Sequence, residues 1–495
     1  MAQHNYRVDL GFADFPLLST EAARVVVSPK SEEVYHKQAN KPNMYFCQNV
    51  MPYKEGFKSV GFTSLLPALD PATTIISDVR IVYCECGARA ALTWDSDGNV
   101  YAIGPASTSW SAVTGAPSVP VDFSVNDVTI GTVDGLSYIW YKGIGCYTFA
   151  ILTLVMTPVT LTGLAVEDIV GLAASNGYLV AYTVNAYAWS STVDPTDFVP
   201  STVTGAGGGN VADNDGEIQF GVSHALGVIL YARANAVAAI YTGNKQYPFK
   251  LREIIGSRGG ISLDLLAYEA NSDAQIVYTT GGMQAVTTGK VDALLPEVTD
   301  FLAGQVFEDF DTTTLLFTQS EGNTLKKKIK LIGSRYLIIS YGITEFTHAL
   351  IYDLVLGKLG KIKFTHVDVF EHIGTQTDIA KQHICFLLST GEVKYLDYLA
   401  GTDGVIVIGK LQHSRTRMTT LLEVEVENCA SGTLYDLPAL KGKLLETAIT
   451  GTPKTVEANL KSWVFRNTAK NHNITLVGDF SLNTVLSTYT LNGRR

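Results

Sequence analysis

The chain has 495 residues, of which 46% are hydrophobic and 17% charged, a balance opposite to that of a disordered polypeptide, so a sizeable buried core is expected. Lys+Arg 37 against Asp+Glu 47 leaves a net charge of −10, which excludes a general electrostatic grip on nucleic acid, because phosphate binding needs a basic face. Tyr 24 and Phe 20 set against Met 6 favour pleated over helical structure, and the length allows two or three domains or one large repeat-built body.

Residues 1–64 read as an N-terminal arm. The opening MAQHNYRVDLGFADF lacks the charged start and apolar stretch of a signal peptide, and residues 34–59 are polar and rich in turn formers. Too polar to form a core of its own, the arm is expected to become ordered on a partner. Six cysteines without a CxxC pair make neither a disulfide framework nor a zinc site. Cys84 and Cys86, two apart in an extended run, are expected as buried or half-buried thiols on one strand face.

From about residue 65 to 409 one pattern recurs: an apolar stretch, a short turn, and a second apolar or aromatic stretch. It surrounds Leu92, Ile139, Leu179, Ile229, Ile276, Ile338 and Phe386, so successive anchors lie 47, 40, 50, 47, 62 and 48 residues apart. A period of 40 to 50 residues with several strands per unit is the signature of a propeller blade, since one hairpin cannot hide both faces and radially packed blades can. The sequence therefore predicts an all-β protein built on a β-propeller of six or seven blades. A pair of β-sandwiches with coincidental spacing is the competing architecture. Cys146 to Val166 is uncharged for 21 residues, long enough to span a bilayer as a helix. Its Thr148, Thr153, Thr157, Thr160, Thr162, Pro158 and Gly163 predict two soluble strands around a turn instead, and no membrane partner is expected.

Residues 410–495 read as a C-terminal, sandwich-like β domain. Leu422, Val424 and Val426 alternate with Glu423, Glu425 and Glu427, as in a half-exposed strand. This part carries 11 Lys/Arg against seven acids, a net of +4, which leaves about −14 for the first 409 residues.

Chemical motifs are sparse. Gly404 to Lys410 imitates a phosphate loop, but Leu411 stands where a magnesium-binding hydroxyl belongs, and β-branched residues between the glycines make a strand. Gly221-Val222-Ser223-His224-Ala225 lacks the last glycine of a nucleophile elbow. His366, His372 and His383 have no metal-ligand spacing, and loop positions are expected. The turns Asp95–Asn99 and Asp213–Glu217 present alternate oxygens as calcium loops do, yet Asp-Gly is also a favoured hairpin turn, and calcium stays open. Lys326, Lys327, Lys328 and Lys330 form the one dense basic run. It reads as a solvated strand edge or, more sharply, as an assembly or channel contact. No catalytic set emerges, and neither an enzyme nor a cofactor is expected.

The middle of the chain supports a family resemblance. Trp189-Ser190-Ser191 leads into Val193-Asp194-Pro195-Thr196-Asp197-Phe198-Val199-Pro200. Gly216-Glu217-Ile218, Tyr241-Thr242-Gly243, Pro248-Phe249 and Ile255-Gly256-Ser257-Arg258-Gly259-Gly260-Ile261 follow. This order, with Asn49 to Gly56 and the closing LEVEVENCASG and ITLVGDFSLNTVLSTYTLNGRR, resembles the tail hub or packaged-DNA stabilisation proteins of short-tailed bacteriophages. The related tail nozzle shares this position. The resemblance implies a non-enzymatic propeller subunit of the virion, assembled in the host cytoplasm. It would form a ring, commonly of six copies, below the portal and its adaptor. Such a ring extends the DNA channel, helps retain the packaged genome during and before ejection, and anchors fibres or spikes, while DNA slides through without sequence-specific binding. The runner-up is a glycan-binding propeller adhesin, with Trp94, Trp110, Trp140 and Trp189 as sugar platforms.

Overall fold

The computed structural model describes residues 3–9, 44–54, 56–69, 76–83, 88–104, 107–211, 216–268, 274–303, 306–311, 313–321, 326–371, 384–401, 403–411, 418–436, 449–457, 460–469, 472–482 and 484–491. Cys84, Cys86, Asp213 to Asp215, His372 and His383 lie outside these residues, as does most of the arm.

Seven four-stranded antiparallel units, called blades 1 to 7 with strands a to d outward from the axis, follow one another along the chain. Blade 1 comprises Ile76–Tyr83, Arg89–Asp95, Val100–Ile103 and Ser111–Ala112; blade 2 comprises Val128–Val133, Leu136–Tyr141, Gly145–Ala150 and Val155–Val159. Gly171–Ser175, Tyr178–Tyr182, Ala186–Trp189 and Gly207–Asn210 make blade 3. Blade 4 is Ile218–His224, Gly227–Ala232, Ala236–Tyr241 and Phe249–Glu253, and blade 5 is Leu266–Ala267, Gln275–Thr279, Gly282–Val286 and Val291–Ala293. Blade 6 runs Lys326–Ile332, Tyr336–Gly342, Phe346–Asp353 and Lys358–His366. In blade 7, Asp368–Glu371, Ile384–Leu387 and Val393–Asp397 are completed by Gly61–Leu66, which arrives from the other end of the chain as strand d. The molecule is a seven-bladed β-propeller, closed by a strand from far upstream.

All seven sequence anchors fall on strand b, and each hairpin around them is a b–c pair. That is where burial is greatest: Leu92, Ile139, Leu179, Ile229 and Phe386 are wholly enclosed between blades. The longest interval, between Ile276 and Ile338, holds the helix Pro296–Ala303 and a two-stranded hairpin, Val306–Asp311 with Leu316–Glu321. The uncharged run at 146–166 is a strand pair, with Cys146 opposite Val159. Among the described residues, no helix is long and apolar enough to cross a membrane.

Two further sheets form a C-terminal sandwich. One runs Gln3–Asp9, Thr484–Leu491, Thr419–Glu427, Leu460–Ala469, Thr452–Glu457; the other runs Met44–Gln48, Gly404–Leu411, His472–Leu482, Cys429–Asp436, Ile449–Thr450. Leu421, Val424, Trp463 and Phe465 from the first sheet pack against Ile406, Leu434, Leu476 and Phe480 from the second. The hairpin Val50–Tyr53 with Gly56–Ser59 joins the sandwich to blade 6, pairing Val50 with Lys361 and Phe57 with Leu482.

This pairing corrects the expected boundaries. Segments of the arm are built into the chain's own sheets: Gln3–Asp9 pairs with Thr484–Leu491, and Met44–Gln48 with Gly404–Leu411. Gly61–Leu66 therefore belongs to the propeller and Gly404–Leu411 to the sandwich. A polar arm needs no core of its own when its backbone completes sheets whose hydrophobic faces lie elsewhere in the sequence.

Candidate functional site on the propeller axis

Strand a of each blade leaves one edge facing the axis, where its backbone groups need partners. Neighbouring blades supply them through side chains. Thr129 Oγ1 accepts the Leu172 N–H at 2.8 Å, Ser223 Oγ accepts that of Ala174 at 3.3 Å, and Gln275 Nε2 donates to the Ser223 carbonyl at 3.0 Å. Between blades 7 and 1 the bridging group is a carboxylate: Asp368 Oδ2 accepts the Val79 N–H at 2.9 Å.

An ionic cluster is built around that last bridge. Alternation along a strand puts Asp78 and Arg80 on one face of blade 1 strand a, and Lys328 and Lys330 on one face of blade 6 strand a. Lys328 Nζ lies 2.9 Å from Asp78 Oδ1, 3.1 Å from Asp368 Oδ2 and 3.7 Å from Asp264 Oδ1. Arg80 reaches Asp78 at 3.1 Å and Asp264 at 3.2 Å, and Lys330 Nζ is 3.5 Å from Asp368. Lys328, Asp78 and Asp368 are buried, while Arg80, Asp264 and Lys330 are half-buried. Three carboxylates thus face three cations, which is the condition for burying charge at tolerable cost. Burial opposes the charged form of Lys328, but Asp264, Asp368 and Asp78 outweigh it and hold the ammonium well above the usual lysine range. Burial also pushes Asp368 up, but Lys328 and Lys330 overcome it and hold the carboxyl below the usual range. Asp78 is pushed up, chiefly by burial and against the pull of Arg80 and Lys328.

Contacts across the axis close this end of the propeller. The 3-10 turns Phe123–Val125 and Leu263–Leu265 meet there. Asn126 accepts the Leu263 N–H at 2.8 Å and donates to the Gln219 carbonyl at 3.3 Å, while the Arg80 guanidinium lies over the Phe123 ring at 5.0 Å. The arrangement clamps blades 1, 5, 6 and 7 together beside the seam where the propeller closes. The Lys328 ammonium lies among three carboxylates. Among the described residues, no group of three or more His, Cys, Asp or Glu is placed to hold a metal.

The lysine run is therefore corrected at its core. Lys328 is an internal ion-pair partner and no surface contact, because Lys326–Ile332 is an inner strand and no solvated edge. Lys330 shares that role, Lys327 lies over the Tyr278 ring at 4.9 Å, and Lys326 is exposed. Sequence reasoning missed their partners Asp78, Arg80, Asp264 and Asp368. The available signal was a charged residue inside an otherwise apolar strand, as in Ile76–Tyr83 and in Val367-Asp368-Val369.

The remaining motifs serve the fold. Ser223 and His224 lie on blade 4 strand a; His224 Nδ1 accepts the Leu226 N–H at 3.1 Å to shape the following turn. Asp95 Oδ1 accepts the N–H groups of Asp97 and Asn99 at 2.9 and 2.8 Å, so the oxygens of this acidic turn are engaged in the hairpin itself. His366 departs from the loop position expected of it: it is buried in blade 6, with Ser340 Oγ at 2.7 Å from Nε2 and the Phe364 carbonyl at 2.7 Å from Nδ1. Trp94, Trp110, Trp140 and Trp189 are all buried in blade cores, which removes them as sugar platforms. Burial pushes the thiols of Cys47 and Cys146 up to about 12, so neither is ionised at neutral pH.

In the sandwich the structure reveals a relay without a sequence motif. His472 Nδ1 lies 2.7 Å from Asp436 Oδ2, and Nε2 lies 3.1 Å from Thr419 Oγ1. Asp436 also accepts Asn467 Nδ2 at 2.7 Å and the Asn473 N–H at 3.0 Å. The order imitates a nucleophile triad, but all three residues are completely buried, and the network ties Thr419–Glu427 to the facing sheet.

The central residues of the phage-tail resemblance fall in blades 3 and 4 and the connections beside them, while those at 49–56 lie in the hairpin beside blade 6 and the described parts of the closing segments in the sandwich. Phe198 fills the contact between blades 2 and 3, beside Trp140. A Cβ on Gly259 would stand 2.1 Å from the Arg233 carbonyl, and one on Gly260 would stand 2.5 Å from the Phe220 ring. This turn passes too close to blade 4 for any side chain, which is why glycine occupies it.

No protein-family model and no curated protein matches the chain. Solved structures with a similar arrangement include the WD40 β-propeller domain of Doa1, at 12% identity and a TM-score of 0.39, covering 68% of this chain and 97% of that one. U3-55K is similar at 8% identity and a TM-score of 0.41, covering 68% and 98%. The computationally designed Ika8 protein is similar at 11% identity and 0.37, covering 68% and 100%.

Proposed function

We propose that the chain is a non-enzymatic structural subunit of a short-tailed phage tail, a hub or nozzle that assembles as a ring below the portal and adaptor. The reading begins with the sequence resemblance, which is densest over residues 189–261 and runs thinly over most of the chain. The observation that carries it furthest is the ionic cluster on the propeller axis, which with the turns beside it blocks one end of that axis. In a tail built from such propellers, DNA passes between copies arranged around a common axis, and six copies is the number the resemblance implies. The net charge of −10 suits a conduit, because like charge lets DNA slide. Fibres or spikes would attach to the outer surface of the ring, and the adaptor to one of its ends. The glycan-binding alternative has no platform in the four tryptophans named for it.

Sedimentation of the purified full-length chain, alone and with its adaptor ring, tests the proposal. A discrete ring with no retention of free duplex DNA is expected. A monomer that binds duplex DNA tightly and in a salt-sensitive manner would contradict it.

A further inference from the structure

The strands of the N-terminal arm are joined by connections of very unequal length. Asn49 alone separates Met44–Gln48 from Val50–Tyr53, residues 54–55 lead on to Gly56–Ser59, and Val60 alone leads into Gly61–Leu66. Each of these strands is tied closely to its own chain. Gln3–Asp9 is the exception, because the 34 residues 10–43 lie between it and Met44–Gln48. Those two strands are outer strands of the two sandwich sheets. Packed sheets lie about 10 Å apart and a strand of this size is about 24 Å long, so roughly ten residues would join the two within one sandwich. A chain of 34 residues extends to roughly 110 Å. Connections this much longer than their task are uncommon in compact domains.

We infer that Gln3–Asp9 is exchanged between neighbouring copies, each copy's strand completing the sandwich of the next, an inference that rests on the ring reading above. The place it takes is the outer side of Thr484–Leu491, in an antiparallel ladder from Gln3 opposite Thr490 to Asp9 opposite Thr484. Among the described residues, Gln3–Asp9 ends its sheet and pairs with no other strand. Moving to the same place on another copy therefore breaks no further pairing. A backbone ladder does not distinguish one copy from another, which makes exchange of an identical element a low-cost route to assembly. Without this strand, Thr484–Leu491 would be a bare edge, with Val485, Ser487 and Tyr489 buried on one face and a row of backbone groups open to a strand from outside. A long tether also weakens the advantage of the chain's own strand, whereas a ring holds the neighbour's at high effective concentration.

The test places cysteines at one pair of this register in the full-length chain, Asn5→Cys with Thr488→Cys. The oxidised protein is run on a non-reducing gel beside sedimentation of the same sample. Exchange predicts covalent multimers up to the size of the ring, absent from either single variant, and covalent dimers when the two single variants are co-expressed. A second readout needs no disulfide. A chain beginning at residue 10 is expected to keep its circular-dichroism spectrum and to raise the concentration needed for assembly about tenfold or more. A sedimenting ring whose doubly substituted chains stay single on the gel with both new thiols consumed would overturn the exchange while leaving the ring reading intact. A shortened chain that assembles like the wild type would do the same. A wild-type chain that stays monomeric at every concentration would overturn both.

Discussion

Lys328 is the residue on which the axis depends, because removing it leaves Asp78 and Asp368 buried without their shared counter-ion. Replacing one partner of such a buried network costs about 3–5 kcal/mol, so Lys328→Met should lower the denaturant midpoint markedly without changing the slope of the transition. An unchanged midpoint would mean that the cluster contributes nothing. His366 supplies a pH dependence of its own. Burial holds its imidazole down to about 4 against an ordinary value of 6.5, so the folded chain takes up its proton later than the unfolded chain does. Stability from this residue is therefore complete above pH 6.5 and is lost as pH falls toward about 4, a loss of roughly 3 kcal/mol. Over that window, the wild type should show a steeper fall in its denaturation midpoint than His366→Asn; equal slopes would assign the effect elsewhere. Below the ordinary carboxylate range Asp368 acts in the same sense as His366, while Asp78, whose carboxyl is pushed up, acts in the opposite sense above that range. None of these roles could be read from sequence. Four lysines within five positions look like a solvated edge until the partners, some 40 to 250 residues away, are brought beside them.

At the scale of elements, what proved legible was local. Each b–c hairpin is contiguous in sequence and apolar on both faces, so its period survives with no knowledge of the fold. Strands a and d were less visible for two reasons. Inner strands carry glycines and polar bridges such as Gly131, Gly171, Gly221 and Thr129, which blur the apolar pattern. Outer strands are half exposed, and that of blade 7 comes from residues 61–66, separated from its partner Val393–Asp397 by more than 300 residues. The closing strand is held by packing as well as by pairing. Phe62 stacks on Phe364 at 3.9 Å between ring centroids and meets Phe386 edge-on at 5.3 Å. Truncating this half-buried ring in Phe62→Ala should cost about 2 kcal/mol and expose the 61–66 segment to limited proteolysis before any other blade. Cleavage beginning in blades 2 to 4 instead would show that the closure is not the weakest seam.

For the whole molecule, two bodies share one hydrogen-bonded sheet: blade 6 continues through the hairpin at 50–59 into the C-terminal sandwich. That continuity favours a subunit whose parts move together, as a ring component under the pressure of packaged DNA would need. The ion-pair cluster at one end of the axis holds blades 1, 5, 6 and 7 together. The central claim is that DNA runs between copies and not through any one propeller. An electron-microscopy map of the assembled particle, at a resolution sufficient to place the propellers, tests it most directly. The account predicts several propellers around a shared open axis, each with its own axis blocked at one end. A single propeller centred on the DNA path, or none surrounding it, would contradict the account.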